Sequence, residues 1–232
     1  MENGLVIVNA YAVVNGITYP LLFEPFKPNK RLRSGDPYRT KPELAVKLLE
    51  QVQAWGFRVG LVLADSLYGE SGDVIRALEQ RGLPFIVAIR SNHSVLMPQG
   101  AKKRYNRWAP YQQQLSRHHA EQRYIREIVF GQRRDVRYYQ VSKRAVPDPE
   151  GGESWYLMTN LSGSIQQQVA PLYSLRNWIE YDFKQVKNEL GWADFRLTAY
   201  ESIERWWELV LSAYLLVSLQ ANYSKNTWIV NR

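Results

Sequence analysis

Apolar positions along the chain alternate between a two-residue and a roughly four-residue period, and the switches mark its elements. Leu5-Val6-Ile7-Val8 and Tyr11-Ala12-Val13-Val14 lead to Asn15-Gly16, a strong two-residue hairpin signal. Ile17 to Phe26 is expected to return antiparallel. A loop rich in Lys, Arg, Pro and Gly comes next, from Lys27 to Pro42. Pro42 sits at the start of an amphipathic helix, Glu43 to Trp55, closed by Gly56. Arg58 to Ala64 is a short apolar run ending in Asp65, the pattern of a buried strand. Gly72 to Gln80 reads as a helix stopped by Gly82, and Leu83 to Ile89 as a second buried strand. Hairpin, helix, strand, helix, strand predicts an α/β sheet of mixed direction.

From Ser91 to Thr159 the character changes. This stretch is basic and aromatic, with Lys102-Lys103-Arg104, Arg107-Trp108, Arg133-Arg134 and Arg137-Tyr138-Tyr139. Ile125 to Phe130, Val136 to Val141 and Trp155 to Met158 have strand composition, with a Pro/Gly turn from Pro147 to Gly152 between the last two. Two long helices close the chain, Ile165 to Leu190 and Ser202 to Tyr223. The expected division is a core of residues 1–90 and 160–232, interrupted by a mostly β insertion at 91–159. There is no internal repeat and no low-complexity tract.

With 45% hydrophobic and 13% aromatic residues among 232, the chain can build a sizeable core. It has no cysteine, which excludes disulfides, thiolate zinc sites and cysteine nucleophiles and accords with a cytoplasmic location. No apolar run reaches membrane-spanning length, the nearest being Leu209 to Leu219, so no membrane partner is expected. Met1-Glu2-Asn3-Gly4 lacks the basic-then-apolar order of a signal peptide. A net charge of +8 suits a polyanionic partner, since neutralising phosphates releases condensed counterions. Charge alone fits a merely basic protein equally well.

Two elements carry candidate chemistry. Asp65 stands where an apolar strand gives way to Ser66-Leu67-Tyr68-Gly69-Glu70, a position from which a carboxylate can face a ligand or metal. The plainer alternative is that Asp65 caps the next helix or turn. Tyr173, Arg176, Glu180, Lys184 and Lys187 succeed one another at gaps of three or four, so they share one helical face. Leu175, Ile179, Phe183, Val186 and Leu190 fill neighbouring stripes and can bury the helix. A solvated ladder of ion pairs explains such charges just as simply.

Taken together, these segments resemble the insertion-sequence DDE transposases. Tyr-x2-Arg-x3-Glu-x6-Lys, here Tyr173, Arg176, Glu180 and Lys187, is similar to the signature around that family's catalytic Glu. Glu189-Leu190-Gly191-Trp192 and Arg196-Leu197, just beyond it, also resemble that family. Leu63-Ala64-Asp65-Ser66-Leu67-Tyr68-Gly69 resembles the second-Asp motif, and Ala88-Ile89-Arg90-Ser91-Asn92-His93 the next strand. The resemblance implies a ribonuclease H-like fold with a β-rich insertion between the second Asp and the Glu. It also implies a catalytic set of Asp65, Glu180, Tyr173, Arg176 and Lys187, with Asp65 and Glu180 as ligands of Mg²⁺ or Mn²⁺. In that family three carboxylates hold two divalent ions about 4 Å apart for in-line phosphoryl displacement. Arg176 and Lys187 would then bind phosphate, and Tyr173 would bond a phosphate or orient Glu180. The implied partner is DNA, both transposon ends and target, with Arg90, His93, Trp108 and Lys184 as candidate contacts.

One part of the pattern is not found. The family's first catalytic Asp belongs on the first strand of the sheet, upstream of the opening hairpin in sequence. Within the sheet, that strand lies between the hairpin and the strand that ends at Asp65. The sole Asp before Asp65 is Asp36, in the loop after the hairpin. The expectation is therefore a C-terminal fragment without its first strand, two open sheet edges and little or no cleavage. A noncatalytic DNA-binding remnant and a metal-dependent nuclease are the alternatives. For the closing helix the alternatives are burial and a homodimer contact.

Overall fold

The computed structural model describes residues 5–116, 119–145, 154–177, 191–192 and 196–230. Contacts divide the chain into two compact units, residues 1–57 with 177–232, and residues 58–176.

The first unit opens on β1 (Val6–Val14) and β2 (Ile17–Phe26), paired antiparallel from Val14↔Ile17 to Val6↔Phe26. Asn15 and Gly16 take φ of 52° and 69°, the left-handed pair that a two-residue hairpin turn requires. α1 (Lys41–Ala54) begins earlier than the apolar pattern indicates because Thr40 and Glu43 form a reciprocal capping box. Its buried residues Leu44, Leu48 and Val52 recur at four-residue spacing on one stripe. α5 (Tyr200–Val230) buries Ile203, Trp207, Val210, Leu211 and Tyr214, which gather with Trp192 and Phe23. Trp192 and Trp207 stack at 5.0 Å, and Phe23 meets both edge-on. α5 also leaves Leu209, Leu216 and Val217 exposed.

The second unit is a seven-stranded mixed sheet. Its strands are β3 (Val62–Ala64), β4 (Phe85–Ile89), β5 (Lys103–Tyr105), β6 (Ala109–Ser116), β7 (His119–Phe130), β8 (Arg137–Ser142) and β9 (Ser154–Thr159). The order is β3-β4-β9-β8-β7-β5, with β6 also on β7, and only β3 and β4 run parallel. Phe85, Ile86 and Val87 in β4 are wholly buried. α2 (Ser66–Gly69), α3 (Gly72–Gln80) and α4 (Gln166–Ser174) complete the unit. The mixed α/β architecture expected from the sequence is what forms, and it is compatible with a ribonuclease H-like core.

The differences from the sequence-based expectation are local. β3 is three residues rather than the run from Arg58, because its ladder starts where Val62 N–H reaches Pro84 O at 2.8 Å and Pro84 has no N–H to extend it. β5 and β6 have no counterpart among the expected strands; the Gln112-Gln113-Gln114 run of β6 shows no apolar alternation, although Gln113 is buried. α4 carries Pro171 inside it, and Leu175 N–H turns back to Leu172 O. Residues 178–190 of the expected 165–190 helix lie outside the described residues. Among the described residues the hairpin is a sheet by itself and β3 ends the other sheet, so open edges are present in both units. No described helix is long and apolar enough to cross a membrane.

One buried charge cluster ties β7 to the β7–β8 turn. The Glu127 side chain is 2% exposed and accepts from Asn106 Nδ2 at 3.0 Å, Arg133 Nη2 at 3.0 Å and Arg137 Nε at 2.9 Å. Removing the carboxylate would strand Arg137, itself 12% exposed, without its counter-charge. Glu127→Ala is expected to cost about 3 kcal/mol in urea unfolding. Arg133→Ala, at a side chain 65% exposed, should cost less than about 1 kcal/mol. Equal costs would show that the cluster does not act as a buried pair.

Candidate active site

Asp65 comes directly after β3, in an extended conformation, and caps α2: its Oδ1 accepts Leu67 N–H at 2.9 Å. The helix cap weighed as the plainer alternative is therefore present at half-buried Asp65. The cap occupies one carboxylate oxygen, and Oδ2 accepts no hydrogen bond among the described residues. The neighbouring Tyr68 hydroxyl is pushed up to about 12, by burial first and then by the Asp65 charge.

α2 is fixed to β4 at its far end. Gly69 is buried, and a Cβ placed there would lie 2.0 Å from Ala88 O, so only glycine allows this approach. Glu70 then reaches the end of β4. Its Oε1 accepts Arg90 N–H at 2.8 Å, and His93 Nδ1 lies 3.1 and 3.0 Å from its two oxygens. Burial pulls the Glu70 carboxyl upward, but the Arg90 amide and His93 outweigh it and hold the group below its ordinary value. Glu70 stands beside the Asp65 motif, yet no local pattern assigns it a role. Its partner His93 lies 23 residues away, beyond the reach of any periodicity.

The other named residues fall into separate groups. Arg90 is exposed and joined to His93 through Glu70. Tyr173 packs on the buried cluster of Ile86, Ile125, Tyr139 and Leu157, and the Arg176 guanidinium lies 5.9 Å from its ring centre. Trp108 is far from open: Arg126 lies 4.4 Å from its ring centre and 4.0 Å from that of Tyr105, while bonding Gln140 Oε1 at 2.7 and 2.9 Å. A base would have to displace Arg126 to use that face. Glu180, Lys184 and Lys187 lie outside the described residues.

Known proteins agree with the motifs. The model of the family described as Transposase DDE domain matches residues 34–216, a span that includes Asp65, Tyr173, Arg176 and Glu180. A protein of Microchaete diplosiphon named as a probable transposase for insertion sequence element IS701 is 47% identical over 207 residues. The chain belongs to the DDE transposase family. The alignment covers 88% of this chain and 53% of the relative, so the chain spans about half the length of the curated relative it matches.

For a DDE-family chain the donor chemistry at Asp65 is suitable, since hard divalent ions prefer oxygen ligands. Its position fits less completely: among the described residues no three His, Asp or Glu side chains gather to hold a metal ion.

The α2 latch has two measurable consequences. Gly69→Ala should destabilise by about 1–3 kcal/mol, read as a lower urea midpoint, because backbone must move to admit the methyl group. The Glu70 contribution has a pH signature. A carboxyl held below its ordinary 4.5 stabilises fully above that value, and the effect is lost as pH falls through the folded value. The gap in thermal midpoint between wild type and Glu70→Gln should therefore shrink from about pH 6 to about pH 3. A gap that stays constant over this range would rule the carboxylate out.

Proposed function

We propose that this chain is a catalytic domain for DNA strand cleavage and transfer in the transposition of an insertion sequence, with Asp65 and Glu180 as two of its metal-holding carboxylates, and that these two do not suffice for cleavage by themselves. The observation that carries this function is the setting of Asp65: the end of a parallel strand, one oxygen held by a backbone N–H, the other without a hydrogen bond among the described residues. The family membership and the Tyr173, Arg176, Glu180 and Lys187 spacing support it.

Asp65 and Glu180 would hold Mg²⁺ or Mn²⁺, which when bound supplies activation of an oxygen nucleophile and stabilisation of the leaving oxygen. The chain's own residues do the positioning. Arg176 offers a planar fork to a phosphate, with its guanidinium near the Tyr173 ring. Lys187 adds a point charge further along the same sequence-defined face. Arg90 and Lys184 contact the DNA backbone, and His93 presents the ring edge that Glu70 leaves open. Residues 91–159 form a β-rich insertion facing DNA, and Trp108 contributes there only if Arg126 gives way.

The family-like motifs supply two carboxylates, and among the described residues no three His, Asp or Glu side chains gather to hold a metal ion. Asp36 is occupied as a turn residue, accepting Arg33 N–H at 3.2 Å. A second function, DNA binding without catalysis, is favoured by the cap that Asp65 Oδ1 provides to α2, a structural role that needs no metal.

Supercoiled plasmid incubated with the chain in Mg²⁺ or Mn²⁺, beside Asp65→Asn and Glu180→Gln, tests both cleavage and binding. The expected result is retention of the plasmid without nicking, and duplex binding that changes less than about twofold in either variant. Nicking by the wild type that both variants abolish would show that two carboxylates suffice and overturn the claim of an incomplete site. Absence of duplex binding would overturn both functions.

A further inference from the structure

The second unit contains an open cleft of about 500 Å³ between the β7–β8 turn and the β9–α4 loop, and no residue individually named above for catalysis or DNA contact lines it. Arg133, Arg134 and Arg137 line one wall, and Ser162, Gly163 and Ser164 line the other. Two carboxylates also reach it, Glu127 and Asp135, so three cations face two anions. Their exposure makes them unequal. Glu127 is 2% exposed and both its oxygens are taken, whereas the Arg133 side chain is 65% exposed. Asp135 is exposed, as are Arg133 and Arg134, so two exposed cations face one exposed carboxylate at the mouth of the cleft and its field is positive.

Each arginine keeps donors in reserve. A guanidinium has five N–H groups. Arg133 commits Nη2 to Glu127, and Arg134 commits Nη2 to Leu96 O at 2.6 Å. Arg137 commits Nε to Glu127 and Nη1 to Gly163 O at 2.6 Å. That last bond draws the Ser162–Ser164 loop onto the guanidinium and fixes the two exposed serines at the rim. α4 starts at the same rim. Its N-cap, Ile165, has no side chain able to accept from the first turn, and that turn contains no acidic residue. The positive end of a nine-residue helix is thus left without an internal counter-charge.

We propose that this cleft binds a phosphate oxyanion, and that its occupant in function is a backbone phosphodiester of DNA passing over residues 91–159. Arg133 and Arg134 donate to the oxyanion, Ser162 and Ser164 donate hydroxyls, and the open mouth admits the strand on either side of the phosphate. Only the identity of the occupant rests on the proposed action on DNA; the oxyanion site rests on the cleft itself.

The test uses the full chain and the variant Arg134→Glu/Ser164→Asp, both positions exposed and outside the Glu127 cluster, with Arg133→Ala as a second variant. Inorganic phosphate is titrated by ³¹P NMR, and a short duplex by fluorescence anisotropy over a range of salt. The expected result is phosphate binding weakened at least about tenfold in the double variant. The log–log salt slope for the duplex should fall by about 0.9 for each phosphate that the variant no longer neutralises. Phosphate binding that is absent, or equal in wild type and both variants, overturns the site. Phosphate binding abolished in the variants while the duplex slope stays unchanged overturns the DNA occupant. If the wild type binds phosphate but no duplex, the cleft stands and the proposed action of the chain on DNA falls.

Discussion

Strand β4 takes a partner on each edge, and everything that positions Asp65 depends on that. β3 offers only three paired residues, too few to hold a strand by themselves. It is kept in register because β4 is itself immobilised from the other side by β9, from Ile86↔Thr159 to Ile89↔Tyr156. Side chains reinforce the seam: Thr159 Oγ1 donates to Phe85 O at 2.6 Å, Asn160 Nδ2 donates to Leu83 O, and Asn160 Oδ1 accepts Phe85 N–H. These bonds lie in a zone where Phe85, Ile86 and Val87 exclude water, so each unmade bond would leave a desolvated backbone group. The basic, aromatic segment is therefore joined to the strand pair through one continuous sheet.

The positive charge of the chain is less available than its total of +8 indicates. Arg126 lies over Tyr105 and Trp108, Arg123 is bound to Glu121, Arg137 is divided between Glu127 and Gly163, and Arg104 reaches Gly131 O. These arginines hold together a segment whose β6 and β8 place Gln113 and Gln140 in the interior, where donors and acceptors must be satisfied internally. Other cations, Arg90, Lys102, Arg107 and Arg134 among them, are exposed and decide what the surface attracts. A count of basic residues overestimates the electrostatic footprint.

Sequence patterns locate the elements whose cause is local. Asn15-Gly16 specifies its own turn, Gly72 to Gln80 matches α3 because Ser71 caps it and Gly82 ends it, and Asp65 is visible as the polar residue after an apolar run. The features invisible to local patterns are set by distant partners. β6 is a strand because β7 pairs with it, not because its glutamines favour one. Trp108 has the sequence character of an open stacking surface because Arg126 lies eighteen positions further on, beyond any local window. Glu70 is inconspicuous for the same reason, although it anchors the turn that carries Asp65.

At Asp65 the helix cap and the proposed role as a metal ligand are compatible. Capping consumes one oxygen and orients the carboxylate; it leaves the charge and the second oxygen in place. Gly69 against Ala88, and Glu70 on Arg90 and His93, then hold the capped turn from its far end without touching the carboxylate. A carboxylate positioned in this way loses little further freedom on taking a ligand, which is the form of preorganisation a metal site needs. The cap alone would ask for any of several small polar residues at this position, and the glycine two steps beyond Leu67 would have no reason to approach Ala88 so closely. The latch is more restrictive than a cap requires, and that excess of constraint is the physical argument for function at Asp65.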